Sequence, residues 1–172
     1  MGKITFILGG VRSGKSNFAI DLAKKAGGRI AFIATCVTPD LEMKQRIAWH
    51  RKSRPKSWQT FTEGEDIAKL LREKGCRFDV VIIDCLTLLV SNLMLNGVTE
   101  KVINNRINQL LNTLNKNRTQ AMIVSNEVGL GIVPDNKLAR YFRDVAGRTN
   151  QLVAGKAHKV FFMVAGIPWR IK

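Results

Sequence analysis

The chain has 172 residues, 45% of them hydrophobic, with 28 Lys+Arg against 13 Asp+Glu and a formal net charge of +15. That length suits one domain spanning residues 1–172, with enough apolar material for a core. The longest apolar region, Val80 to Leu95, is interrupted by Asp84 and Asn92, which argues against a membrane span.

Three cysteines, Cys36, Cys76 and Cys85, are odd in number and lack C-x-x-C spacing, which argues against a disulfide framework and a zinc site. With no signal-peptide pattern at the N-terminus, a reducing cytoplasm is the expected location. The positive charge favours polyanionic partners. Only 7% of residues are aromatic, however, and no nucleic-acid-binding signature is present, so nucleic acid is not the expected partner.

The first informative stretch is Gly9-Gly10-Val11-Arg12-Ser13-Gly14-Lys15-Ser16, between the apolar run Ile4 to Leu8 and a helical pattern ending at Gly27-Gly28. It fits G-x-x-x-x-G-K-[ST] with a strand before and a helix after. Such a loop aims backbone N–H groups at phosphate oxygens, and the helix adds the positive end of its dipole. Lys15 would reach the β- and γ-phosphates, and the Ser16 hydroxyl would ligate Mg²⁺. Binding of ATP or GTP with Mg²⁺ follows.

Ile30 to Ala34 is a second strand. A helix is expected from Asp40, with Met43 and Ile47 on its apolar stripe. From Lys44 to Thr62 there is no acid, while Lys44, Arg46, Arg51, Lys52, Arg54 and Lys56 surround His50. This cluster reads as a triphosphate site, a nucleic-acid patch or a charged helix end. A neutral imidazole among fixed cations is a nucleophile candidate, although a lone His is more often structural.

A helix over Glu65 to Lys74 precedes Val80-Val81-Ile82-Ile83-Asp84, a buried strand ending in a carboxylate that can hold Mg²⁺ or its water. Leu86 to Leu95 and Thr99 to Asn117 read as helices, the second with Ile103, Ile107, Leu110, Leu111 and Leu114 facing the core. Ala121 to Ser125 is a strand leading to Asn126-Glu127-Val128-Gly129, at the same crevice edge as the phosphate loop. Asp135 is expected to start a helix with Leu138, Phe142, Val145, Thr149 and Leu152 packed. Lys159 to Ala165 is a strand, followed by a turn and a C-terminal tail; His158 reads as structural.

Alternating strands and helices around a phosphate loop predict a three-layer α/β P-loop NTPase fold of the RecA-like kind, with a mainly parallel central sheet. Nearly end to end, the chain also resembles the bifunctional adenosylcobinamide kinase/adenosylcobinamide-phosphate guanylyltransferase family. The matching blocks are GGVRSGKS at Gly9 to Ser16, IAT at Ile33 to Thr35, EMKQRIAWHRKSRPKSW at Glu42 to Trp58 and DCLT at Asp84 to Thr87. SNEVGLGIVP at Ser125 to Pro134, ARYFRDVAGRTNQ at Ala139 to Gln151 and AGIPWRIK at Ala165 to Lys172 complete them.

The resemblance implies phosphorylation of adenosylcobinamide by ATP or GTP, then transfer of GMP from GTP through a guanylyl-histidine to adenosylcobinamide phosphate. It makes His50 the covalent residue beside Lys15. It also implies nucleotide contacts from Gly9 to Ser16, from Ala34, Thr35 and Cys36, from Arg51, Lys52, Ser53 and Arg54, and from Glu63 and Asp84. A homo-oligomer is implied too, with Glu127 and Arg143 as candidates for a shared site. Two other classes compete: a P-loop kinase for another alcohol, which would leave His50 unmodified, and a nucleic-acid-stimulated ATPase, which would explain the charge.

Overall fold

In the computed structural model, residues 2–37, 54–74 and 77–172 are described. The expected Asp40 helix and His50 lie outside them. The described elements run β1 (Ile4–Gly9), α1 (Lys15–Ala26), β2 (Ile30–Ala34), β3 (Gln59–Thr62), α2 (Ile67–Lys74), β4 (Val80–Asp84), α3 (Leu86–Leu95), α4 (Glu100–Lys116), β5 (Gln120–Asn126), α5 (Lys137–Lys156), β6 (Lys159–Val164) and β7 (Ile167–Arg170).

The strands form one sheet in the order β3-β2-β4-β5-β1-β6-β7. Every pairing is parallel except β6 with β7. One strand, β5, separates the phosphate-loop strand from the Asp84 strand, as the RecA-like expectation requires.

The central strands are apolar on both faces because helices cover both. Along β1, Ile4, Phe6 and Leu8 pack with residues of α2, α3, α4 and α5, whereas Ile7 faces Ala19, Ile20 and Ala23 of α1. This alternation is the period of two expected of a strand. The result is helix, sheet and helix in three layers. The α4 face foreseen from spacing is fully realised: Ile103, Ile107, Leu110, Leu111 and Leu114 are all at most 2% exposed. Each such side chain contributes about 1.5–3 kcal/mol by leaving water.

Three expectations change, and one strand is added. The segment foreseen as a tail forms β7, pairing Trp169 with Phe162 and Pro168 with Met163; at the edge of the sheet a proline is tolerated. Gln59–Thr62 is also an edge strand, whose largely exposed residues give no apolar run. Helix α2 starts at Ile67, later than Glu65, because the Glu63 carboxylate holds the N–H groups of Glu65 and Asp66 in a turn at 2.8 and 3.0 Å and Asp66 is the cap, its Oδ1 accepting the Lys69 N–H at 2.8 Å. Helix α5 starts after Asn136, whose side chain accepts from the Ala139 N–H. Its buried face is Val145, Ala146, Thr149, Asn150 and Val153, while Leu138 is 55% exposed.

Candidate active site

The carboxyl edge of the parallel sheet carries a cavity of about 450 Å³ lined by the phosphate loop, the ends of β2, β4 and β5, and Arg54. Strand β1 ends at Gly9 with φ +152°, where a Cβ would lie 2.7 Å from both the Met163 carbonyl oxygen and Ser13 Oγ. Only glycine fits that approach. Gly14, at φ +93°, caps α1 and accepts from the Phe18 N–H at 3.0 Å. The first turn of α1 therefore opens its N–H groups into the cavity beside Lys15 and Ser16.

The loop is braced from outside the βα unit. The Gly166 N–H, in the turn between β6 and β7, donates to the Ser13 carbonyl at 3.1 Å. A Cβ on Gly14 would meet Gly166 Cα at 3.3 Å. The hairpin and the phosphate loop thus touch backbone to backbone.

Lys15 is buried, and its ammonium donates to the Gly10 carbonyl and to Ser13 Oγ. Burial lowers its pKa, while the neighbouring Cys85 and Asp84 raise it. Three ammonium protons leave scope for a phosphate oxygen as a further acceptor. Asp84 ends β4 opposite Ala34 of β2 and lines the same cavity as Lys15 and Ser16.

Behind Asp84, Thr35 is completely buried and ties two strand ends together. Its hydroxyl accepts the Cys85 N–H at 2.8 Å and donates to the Cys85 carbonyl at 2.7 Å. Its own N–H donates to the Asp84 carbonyl at 3.1 Å. Asn92 of α3 completes the bracket, donating to the Thr35 carbonyl at 2.7 Å. Cys85, enclosed here, has its thiol pushed up to about 12 by burial.

A second polar chain fixes the end of β5. Ser125 Oγ donates to Asn150 Oδ1 at 2.8 Å, and Thr87 Oγ1 lies 3.0 Å from Ser125 Oγ. A hydroxyl has one proton, so with Ser125's proton directed at Asn150, Thr87 donates to Ser125. Thr87 Oγ1 in turn accepts the Asn126 N–H at 2.6 Å, and Asn150 Nδ2 donates to the Asn126 carbonyl at 3.3 Å. Both peptide groups of Asn126 are held, and Asn126 lines the cavity.

Of the residues foreseen for nucleotide binding, Val11, Arg12, Ser13, Gly14, Lys15, Ser16, Ala34, Cys36, Arg54 and Asp84 line this cavity. Gly9 and Gly10 shape the loop beneath it, and Thr35 braces it from behind. Glu63 is half-buried ahead of α2, where its carboxylate accepts the N–H groups of Glu65 and Asp66 and its own N–H donates to the Ala34 carbonyl at 2.9 Å. His50, Arg51, Lys52 and Ser53 lie outside the described residues. Arg54 stacks its guanidinium 3.3 Å above the centroid of Phe32, an apolar lining residue no motif had marked. Asn92 and Asn150 were also missed as supports; polar residues within apolar helical stretches were the available signal. His158 does serve the fold, accepting the Ile4 N–H at Nδ1.

A family model described as cobinamide kinase / cobinamide phosphate guanyltransferase matches residues 5–171. The chain belongs to this family. A bifunctional adenosylcobalamin biosynthesis protein, CobP of Pseudomonas aeruginosa, is 40% identical over 166 residues, covering 96% of this chain and 95% of the relative. The CobU proteins of Escherichia coli and Salmonella typhimurium, bearing the same description, are each 36% identical over 178 residues, covering 96% of this chain and 98% of theirs. The cobinamide family is one of kinases and nucleotidyltransferases acting in cobalamin biosynthesis. Among the described residues, no helix is long and apolar enough to cross a membrane.

Proposed function

We propose that this chain performs both family reactions at the cavity above β1, β4 and β5, with His50 as the covalent nucleotide carrier. The observation that carries the reading is the convergence of Lys15, Ser16, Arg54 and Asp84 on one cavity at the carboxyl edge of the sheet. In the kinase step, the hydroxyl oxygen of adenosylcobinamide attacks the γ-phosphorus of ATP or GTP, its proton is released to solvent, and the bond to the β-phosphate oxygen breaks. Lys15 and the N–H groups of the loop hold the charge that moves onto the departing diphosphate.

In the transferase step, a nitrogen of the neutral His50 imidazole attacks the α-phosphorus of GTP. A P–N bond forms, pyrophosphate leaves, and the imidazole proton is released. A phosphate oxygen of adenosylcobinamide phosphate then attacks the same phosphorus, the P–N bond breaks, and the imidazole recovers a proton. The covalent stage stores the activated GMP while pyrophosphate departs and the acceptor arrives. Arg54, with Arg51, Lys52 and Ser53, binds the triphosphate.

Ser16 and Asp84 suit a Mg²⁺ ion: one hydroxyl and one carboxylate at a single cavity are what a phosphate-bound Mg²⁺ takes from protein. When bound, the ion would neutralise charge on the phosphate oxygens. We further propose a cytoplasmic homo-oligomer, with Glu127 and Arg143 near a subunit boundary.

The test is incubation of the protein with Mg²⁺ and α-³²P-labelled GTP, followed by denaturing electrophoresis. Label that survives alkali, is lost in acid and is missing from His50→Ala is the expected result. Folded, GTP-binding wild-type protein without label would remove the transferase half.

A further inference from the structure

The acceptor in both family reactions is a corrinoid, whose reacting arm must enter the cavity while its macrocycle stays near the mouth. A cavity of about 450 Å³ lies in the lower part of the ~300–1,000 Å³ range typical of one small-molecule ligand. It accommodates a nucleotide but not a nucleotide and a corrin ring together. The macrocycle must therefore rest on surface continuous with the mouth.

Residues 127–136 provide such a surface. The segment leaves β5 directly after Asn126, a lining residue, and the Glu127 N–H donates to the Gly9 carbonyl at 3.1 Å. Its start is thus fastened to the phosphate loop. Its far end is fastened by Arg140, whose guanidinium donates to the Pro134 and Asp135 carbonyls. Between these anchors the apolar side chains face solvent: Leu130 is 77% exposed, Ile132 95% and Val133 58%. Isolated exposed apolar residues are ordinary, but a cluster beside a catalytic cavity marks a contact surface.

Charge selects the occupant. In a chain of net charge +15, no Lys or Arg occurs between Arg118 and Lys137, and the segment's only charged residues are Glu127 and Asp135. An apolar, mildly acidic surface disfavours nucleic acid and other polyanions. It complements a cobalt(III) alkylcorrin, which is a cation with broad apolar faces and a rim of neutral amides. Gly129 and Gly131 carry no side chain, so their peptide groups can approach such a rim closely. We infer that Leu130, Ile132 and Val133 form the seat of the corrin ring, delivering the aminopropanol arm past Asn126 to the phosphate held by Lys15. This inference rests on the proposed cobinamide chemistry and adds the surface that confers selectivity for the acceptor.

The test compares the full wild-type chain with a Leu130→Ser/Ile132→Ser variant, using adenosylcobinamide as the probe. Equilibrium dialysis read by corrin absorbance gives binding, steady-state phosphorylation gives KM and kcat, and light scattering gives the oligomeric state. The expected result is about a ten-fold rise in corrinoid Kd and KM, from lost apolar contact. The KM for ATP, kcat at saturating corrinoid and the oligomeric mass should stay within two-fold. Unchanged corrinoid affinity overturns the seat. Weaker affinity accompanied by loss of oligomeric mass also overturns it, showing that the segment seats a second copy of the chain. Wild-type protein that binds the corrinoid without phosphorylating it would refute the kinase reading and leave the seat intact; absence of any corrinoid binding would remove the seat itself.

Discussion

Replacing Thr35 by valine removes one hydroxyl and little volume, at a position with no solvent access. That hydroxyl satisfies both the N–H and the carbonyl of Cys85, at 2.8 and 2.7 Å. Valine leaves the Cys85 N–H buried and unpaired, at about 1–3 kcal/mol, while the Cys85 carbonyl loses one bond but keeps the Leu89 N–H at 3.2 Å. The small gain from a buried methyl offsets part of this, so a net loss of about 1–3 kcal/mol is expected. With a urea dependence of about 2–3 kcal/mol per molar, the unfolding midpoint should fall by roughly 0.5–1 M. Thr35→Ser keeps the hydroxyl, loses one methyl and should cost about 1 kcal/mol. Because the Thr35 N–H also holds the Asp84 carbonyl, the valine variant should bind nucleotide more weakly even where it is folded. A valine variant within 0.5 kcal/mol of wild type, or a serine variant as damaged as valine, would refute the account.

Lys15→Met removes a charge that burial disfavours, so stability should be unchanged or higher while nucleotide turnover falls about 10²- to 10³-fold; a turnover loss below ten-fold would show that Lys15 does not hold the phosphates. Cys85 provides a pH test. Its thiol titrates near 9.0 when unconstrained and about 12 in the fold, so its contribution is complete below pH 9 and is lost as pH climbs toward 12. Three units correspond to ~4 kcal/mol at the upper limit. Lys15 acts in the opposite sense, since its depressed pKa removes a folding penalty as pH rises. The difference in urea stability between wild type and Cys85→Ala, followed from pH 8 to 11, isolates the thiol and should shrink steadily; a constant difference would count against a buried neutral thiol.

Elements that bury continuous apolar runs were legible in the sequence, and so was the loop whose glycines are required by backbone contact. The runs at Ile30 to Ala34 and Val80 to Asp84 are strands with those bounds. The edge strands were not legible, for a physical reason: Gln59–Thr62 and Ile167–Arg170 are covered little or on one side only, so they need no apolar pattern, and Pro168 reads locally as a breaker. Leu138 fits the helical stripe of its neighbours, yet it is 55% exposed in the first turn of α5. Lys15 and Ser16, marked by the phosphate-loop pattern, and Asp84, marked by an apolar run ending in a carboxylate, line one cavity. The partnership of Thr35 with Cys85, and of Ser125 with Asn150, depends on strand order and helix placement, which local spacing does not encode. Phe32 looked like one more core residue until the fold put it under Arg54.

The hydrogen bond from Gly166 to Ser13 also bears on how the protein is made. Ribosomes release the phosphate loop before its brace and before both strands flanking β1. At roughly 5–20 residues per second, the loop waits on the order of ten seconds or more for its hairpin. The phosphate loop of a nascent chain still lacking the hairpin is therefore without this backbone brace.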